Sequence, residues 1–583
     1  MLPLKGRSAG DDNIVLNTMK IQFINSLRYF ILVLVIFCAS TKVWAQQNYK
    51  EELKEVESKL REGNFSEGLH ILDQILEKNP DAADIYYAKS LINGQLGNYE
   101  IAVESASLAY EKSNNLFYAY HLLELYKSKK DYTNSIALLE NLKKQHHHHE
   151  GLNRELMIMY ASNQQVDNAR KLYDELIQES HSDTLKLVMA EIYMNTNDLA
   201  DAKKILSPMD GKTMIPDVYG YLGYLYNNEG KKKEAVAVVQ RGIKRTNDKT
   251  LYLDLADMHR SSNKHTAMYN ALELAFDDTK VPFWDKYKFL IGLLNDSNSA
   301  PDDKIQNLAN TLEAQYPDVL EAKILKGEVL AKRGNVEEAR SVFLQVVSSN
   351  PRHVNAWRLI ILADLELGQT DEAIKHGQEG LKHNPNNSHL LYFTSLAYAG
   401  KSDYDNSRAL LESALNYSEN ENNSIRSLIY GSLGDLYHEL KMEDLSDVAY
   451  EEAIALDSTN VTALNNYAYY LAVRKKDLDK AAAYAKLSNE LEPYSATFKD
   501  TYAWVLFQQG QYAEALRWIE GAVKLDKSSA IMFEHYGDIL IKLKREKEAV
   551  VQWQKALELD TENKDNEDLA KLQQKIQERK YVE

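Results

Sequence analysis

Residues 496–526, ATFKDTYAWVLFQQGQYAEALRWIEGAVKLD, can be laid against residues 530–560, AIMFEHYGDILIKLKREKEAVVQWQKALELD, at an offset of 34 residues. Small residues hold the register: Ala515 matches Ala549, and Ala522 matches Ala556. Each copy reads as two helices joined by a short turn. A period of this length marks an array of stacked supersecondary units, none of which can bury its apolar face alone.

Followed toward the N-terminus, the same register recurs. One copy carries Tyr430, Leu433-Gly434, Tyr437, Tyr450 and Ala453; another carries Gly327, Ala339, Phe343 and Pro351; a third carries Tyr219, Leu222-Gly223, Tyr226 and Ala235. Small residues recur where two helices approach closely, and large ones where a gap is to be filled. In this pattern the chain resembles the tetratricopeptide-repeat (TPR) family, whose unit has bulky, Leu-Gly, Tyr, Ala, Phe/Tyr and Ala positions with Pro at its end. The resemblance implies an all-α fold, a right-handed TPR superhelical solenoid of about 15 helix pairs, and the leader read below adds a cleavable signal peptide before it. Expected boundaries are a leader at 1–45, a first array at 46–281, a degenerate helix pair or seam at 282–319, a second array at 320–563, and a capping helix and tail at 564–583. Two places depart from the pattern. Residues 282–319 keep two apolar segments, Phe283 to Leu294 and Ile305 to Tyr316, around the breaker-rich Asn-Asp-Ser-Asn-Ser-Ala-Pro, and residues 416–424 read as a turn lengthened into a polar surface loop.

Composition agrees with helices joined by short turns: glycine (24) and proline (10) are scarce in 583 residues. The formal charge is −17, and the first 45 residues hold Lys5, Arg7, Lys20, Arg28 and Lys42 against Asp11 and Asp12, so the body is more acidic still. Phosphate backbones and anionic headgroups would repel it, which disfavours nucleic acid and peripheral membrane binding. The one cysteine, Cys38, falls in the leader. A mature chain without cysteine has no disulfide, thiolate metal site or cysteine nucleophile.

The leader itself reads as a secretory signal. From Met19, which competes with Met1 as the start, Lys20 and Arg28 lead into an apolar core at 29–39, and Val43-Trp44-Ala45 precedes Gln46. The core is about half of the roughly 20 residues that span a bilayer, so no membrane insertion is expected after cleavage. Bulky Phe37 before Cys38 argues against lipidation. The expected location is the periplasm of a Gram-negative bacterium.

No Gly-rich phosphate loop, Gly-x-Ser-x-Gly elbow, His-Glu-x-x-His or Cys-x-x-Cys occurs, so no enzyme and no cofactor is expected. The 86 acidic residues make neighbouring carboxylates inevitable on solvated faces. His146, His147, His148 and His149 form the only tract suggestive of metal, a weak candidate. Four consecutive residues on a turn cannot all point one way, so the tract reads as an exposed turn with incidental metal affinity. The 37 tyrosines include Tyr160, Tyr193, Tyr226 and Tyr398 at inward-packing positions, where the ring fills the core and the hydroxyl reaches the rim.

The TPR resemblance also implies where a partner would sit, because the first helix of each pair lines the concave face. In the four most regular units the lining candidates are Asp435, His438 and Glu439; Asn465 and Tyr469; Asp500, Trp504 and Phe507; and Glu534 and Asp538. Aromatic area with amide and acidic groups suits a protein or peptide segment that is neutral or basic. Trp504 and Tyr469 equally fit a packing role against the adjoining pair. A two-carboxylate clamp for acidic tails is not matched. The C-terminal half resembles exported bacterial multi-TPR proteins, which implies a non-enzymatic scaffold or adaptor of the envelope, monomeric or weakly self-associating, with an accessory role in outer-membrane assembly or secretion. A periplasmic holdase chaperone and a peptidoglycan- or carbohydrate-associated binding protein are the alternatives.

Overall fold

The computed structural model describes residues 49–295, 303–419, 421–559 and 566–582. The expected signal peptide lies outside the described residues. Among them are 31 α-helices and no strand. The helices run as antiparallel pairs with short turns, and they group into two compact units, one ending at Val281 and one beginning at Pro282. The first unit holds seven pairs. The second holds eight pairs and a final single helix, Asn566–Glu578.

Helix starts recur in register because their caps do. The hydroxyls of Ser495 and Ser529 accept from the backbone N–H of Phe498 (3.3 Å) and Met532 (3.4 Å), which satisfies a donor left free in the first turn of each first helix. Between pairs, Asp457 and Asp526 fold their carboxylates onto Thr459 and Ser528, bonding both the N–H and the hydroxyl. Those bonds hold both carboxylates below their ordinary range.

Within each pair, every described turn places at least one residue in the left-handed backbone region. Gly97 and Gly334 fill it with φ of 79° and 81°, but Lys130, Gln164, Ser402, Lys441 and Lys544 adopt the same conformation with φ of 58–60°. A side chain there meets the following carbonyl, at a cost of about 1–2 kcal/mol.

The two helices of a pair are held by a small residue against a large one. Gly327 faces Phe343, Gly434 faces Tyr450 and Gly537 faces Trp553, each 16 residues apart. A Cβ on these glycines would lie 2.3, 2.8 and 2.3 Å from the opposing ring, so ring and backbone are in direct contact. At the open end of the pair the roles reverse: Tyr219 presses on Gly242 and Trp357 on Gly380. Phe343, Tyr450, Tyr219 and Trp553 are at most 1% exposed. Within each unit, successive pairs then stack second helix against the next first helix. First helices also approach one another directly, as Val461–Val473 does Ala496–Gln508, which makes their face the crowded one.

Residues 282–319 form a helix pair, Phe283–Leu294 and Asp303–Gln315. In it Lys286 is buried and reaches Gln315 at 2.8 Å. The stretch 416–424 departs from the expected polar loop. Asn422 caps the N–H of Ile425 (3.1 Å), so the extra residues add a turn to the 17-residue helix Asn423–Glu439. The tyrosine hydroxyls do find rim partners: Tyr160 donates to Glu140 (2.6 Å), and Tyr193 and Tyr398 accept from Arg170 (2.7 Å) and Gln378 (2.6 Å).

Gly327→Ala drives a methyl into the Phe343 ring, and overpacking of this kind costs about 1–3 kcal/mol. The urea midpoint followed by circular dichroism is expected to fall in Gly327→Ala, and a second change, Phe343→Leu, is expected to recover part of that loss. Strict additivity of the two substitutions would show that ring and helix are not in contact.

Candidate functional site

The expected lining residues gather into three clusters along the first helices of the second unit. The first surrounds Asp435, on the helix Asn423–Glu439. It accepts from the buried Tyr450 hydroxyl and, at 3.0 Å, from Asn466 of the next first helix. Burial raises the pKa of Asp435 against those two bonds, and burial together with the Asp435 charge pushes the Tyr450 phenol up. One turn on, His438 stacks on Tyr470 with ring centroids 3.7 Å apart and faces Glu443 at 3.3 Å. Glu443 also pairs with Arg474 at 3.0 Å. Glu439 is exposed.

The second cluster joins neighbouring first helices. Asn465 is buried; its amide reaches Asn466 at 3.2 Å while its Oδ1 has no hydrogen-bond partner. Tyr469 is half-buried beside Tyr470, and burial raises its phenol. Asp500 and Trp504, one turn apart, both meet His535. The carboxylate lies 2.9 Å from Nδ1 and the indole stacks on the imidazole at 4.1 Å and 16°. Trp504 also stacks on Phe507 at 4.8 Å, and its buried indole Nε1 has no hydrogen-bond partner.

The third cluster closes the C-terminal end. Glu534 and Asp538 converge on Lys575 of the final helix at 2.9 and 2.7 Å, and Asp538 accepts from Trp553 Nε1 at 3.0 Å. Beyond that helix Tyr581 covers Phe507 at 5.5 Å and lies under the Lys542 ammonium at 4.2 Å. Asn465, Asp500, Phe507 and Asp538 are therefore 2–7% exposed and spend their polar or aromatic groups inside the chain. Glu439, Tyr469, His438 and Glu534 keep surface toward a partner.

Sequence reasoning did not single out Tyr450, Asn466, Tyr470, Lys575 or Tyr581 as members of these clusters. Carrying the 34-residue register one step past residue 563 would have put Lys575 on a first helix facing Glu534 and Asp538. In the first unit a further aromatic group is formed by Tyr87, Phe117, Tyr118 and His121, with Tyr87 5.2 Å from Phe117 and 4.9 Å from His121. Burial pushes His121 down to about 4. His121 lies 2.9 Å from Ser90, but that serine is 0% exposed and its hydroxyl donates to the Ala102 carbonyl at 2.7 Å, so the pair offers no nucleophile to substrate. Of the histidine tract, His146 ends one helix, His149 caps the next, and His147 and His148 lie beside Glu179.

The Asp500–His535–Asp538 group ties stability to pH. Burial alone would lower His535, but Asp500, Asp538 and Glu534 outweigh it and raise it above its ordinary 6.5. Burial raises Asp538 to about 6 against the pull of Lys575. A group with a raised folded pKa contributes stability that is full below its unfolded value and is lost as pH rises through the folded one. Asp538 therefore acts between about 4 and 6 and His535 above 6.5. The urea midpoint read from tryptophan fluorescence is expected to fall steadily from pH 4.5 to pH 8, and His535→Gln is expected to abolish the part above pH 6.5 while leaving the part below pH 6.

Comparison with known proteins places this geometry. Models of the tetratricopeptide repeat match residues 53–116, 305–354, 324–388, 358–423 and 503–565, and a second such model matches 428–460. The chain is 25% identical to a TPR repeat-containing protein of Pseudomonas aeruginosa over 208 residues, 36% of this chain and 29% of that protein. It is 27% identical to anaphase-promoting complex subunit 3 of Schizosaccharomyces pombe over 157 residues, 27% of this chain and 23% of that one. The chain thus spans less than a third of the length of either relative. Among solved structures it is similar to yeast Tom70, with 16% identity, a TM-score of 0.33, and coverage of 86% of this chain and 96% of that one. Repeated helix pairs locked by small-on-large contacts, with repeat models matching in both units, show that the chain belongs to the tetratricopeptide-repeat family, whose solenoid fold generally mediates protein–protein interaction.

Proposed function

We propose that the chain is a non-enzymatic scaffold that docks partner proteins or peptide segments along the first-helix face of its second unit, in the envelope of a Gram-negative bacterium after export to the periplasm. The observation that carries this reading is the line of partly desolvated carboxylates and aromatic rings on that face. Burial raises Asp435 and also Glu328, on the helix Leu320–Lys332, so each gains from a cation brought close. Tyr469, Tyr470 and Trp504 supply rigid contact area between them. A neutral or basic segment fits this surface in charge and shape, and the net charge of −17 steers it in. Rigid stacking lowers the ordering cost of binding, so many modest patches add up. The leader motif at 19–45 supports export, and outer-membrane assembly or secretion is the process in which such a scaffold would act.

The test is affinity capture from native envelope extract, using the chain from Gln46 onward and a Glu439→Lys, Tyr469→Ala variant. Both altered residues keep surface on the face, so circular dichroism is expected to be unchanged. One small set of envelope proteins, retained in stoichiometric amount and lost about tenfold by the variant, is the expected result. Equal retention by both forms would remove the face from consideration. Promiscuous capture of unfolded chains would favour the holdase reading, and heat on titration with muropeptides but not proteins would favour the carbohydrate one.

A further inference from the structure

We propose that His147, His148 and Glu179 form a binding site for a divalent transition-metal ion of the zinc class, with Glu175 as the residue that orients His147. The argument begins with what the turn between Tyr132–Gln145 and Glu150–Ser162 leaves available. His146 closes the first of these helices, its N–H bonded to Leu142 O at 2.8 Å. His149 is committed as the cap of the second, with Nδ1 accepting from Leu152 N–H at 3.3 Å. Asn153 donates to the His147 carbonyl at 3.0 Å and pins the turn from below. The two central rings then project outward, edge to face, with centroids 4.9 Å apart.

Opposite them, the last turn of the helix Val166–Glu179 presents two carboxylates. Glu179 Oε2 lies 3.9 Å from His147 Nδ1 and 3.8 Å from His148 Nδ1. Glu175 Oε1 lies 3.6 Å from the other nitrogen of His147, Nε2, and is itself held by Lys143 at 3.0 Å. One donor atom from each of His147, His148 and Glu179 falls within 4.8 Å of the other two. Ligands about 2.0–2.1 Å from a tetrahedral ion are roughly 3.3 Å apart, so the contacts at 3.8 and 3.9 Å need to close by only about half an ångström. The two imidazole nitrogens, within 4.8 Å of each other, must close by up to about 1.5 Å, and the His148 side chain at 87% exposed, with those of His147 and Glu179 at 44% and 47%, leaves side-chain rotation as the means.

His147 carries the second line of argument. Its two nitrogens face two different carboxylates; Glu175, 3.6 Å from Nε2, would close to accept the N–H when an ion binds and so turn the Nδ1 lone pair toward it. Two imidazoles with one carboxylate select zinc, nickel or copper over magnesium or calcium, and water completes the shell. The bound ion ties the connection between the third and fourth helix pairs to the far end of the fourth. It adds a metal crosslink of the same reach as the Lys143–Glu175 contact, between neighbouring helix pairs.

The test is calorimetric titration of the full chain with zinc chloride in a non-chelating buffer, with calcium chloride as control. Glu179→Gln and His148→Gln are expected to weaken zinc binding about tenfold or more, Glu175→Gln to weaken it less, and His146→Gln to leave it unchanged, with no calcium heat in any form. Circular dichroism confirms the fold of each variant. The proposal is overturned if the chain takes up no zinc, if Glu179→Gln binds as the unaltered chain does, or if His146→Gln weakens binding as much as His148→Gln. The last two results would mean that the histidine run binds loosely as four imidazoles with no contribution from the neighbouring helix.

Discussion

The contact of an aromatic ring with bare helix backbone, as at Gly327 and Phe343, sets the spacing on which everything else in the chain depends. With no Cβ in the way the two helices of a pair close to the short interaxial distance at which dispersion contacts are fullest, and the ring fills the remaining groove. The Gly242 and Gly380 contacts use the same device at the open end of two other pairs, and the pair holding Gly223 and Gly242 is pinned at both ends, by Val239 and by Tyr219. A pair of constant width can be stacked indefinitely. A pair opened by one methyl would also shift the register of its neighbour, because each interface is shared.

Stacking on the second helices leaves the first helices to meet one another edge to edge, and this is where polar chemistry collects. Asp435 with Tyr450 and Asn466, Asp500 with His535, and Asp538 with Lys575 are three versions of one solution: a carboxylate too buried to stay fully hydrated is bonded by the next helix along. Such bonds are specific about which helix follows which. They give the array an order that apolar packing alone, being alike in every repeat, would not impose.

Much of this was legible in the sequence. Small and large residues at fixed offsets announce the pairs, since the contact they make is local and recurs with the repeat. The first-helix positions of Asp435, Asp500 and Trp504 could be named from register as well. Their partners could not, because Asp500 and His535 lie in different repeats, and periodicity says which face a residue occupies but not which neighbour it bonds. Asn422 illustrates a different limit: a single cap drew Asn423 and Ser424, at the end of an apparent polar loop, into helix. Glu175 and Glu179 looked like ordinary solvated acids, and only the fold of the fourth pair brings them to the histidine turn.

The left-handed residue in each turn has a consequence for how far the molecule stands from its own optimum. Lys130, Gln164, Ser402, Lys441 and Lys544 hold a backbone conformation that glycine would adopt without strain, and they hold it because the packed helices on either side leave the turn no other path. A sequence rewritten at these turns alone would melt at a higher temperature while presenting the same surface to its partners.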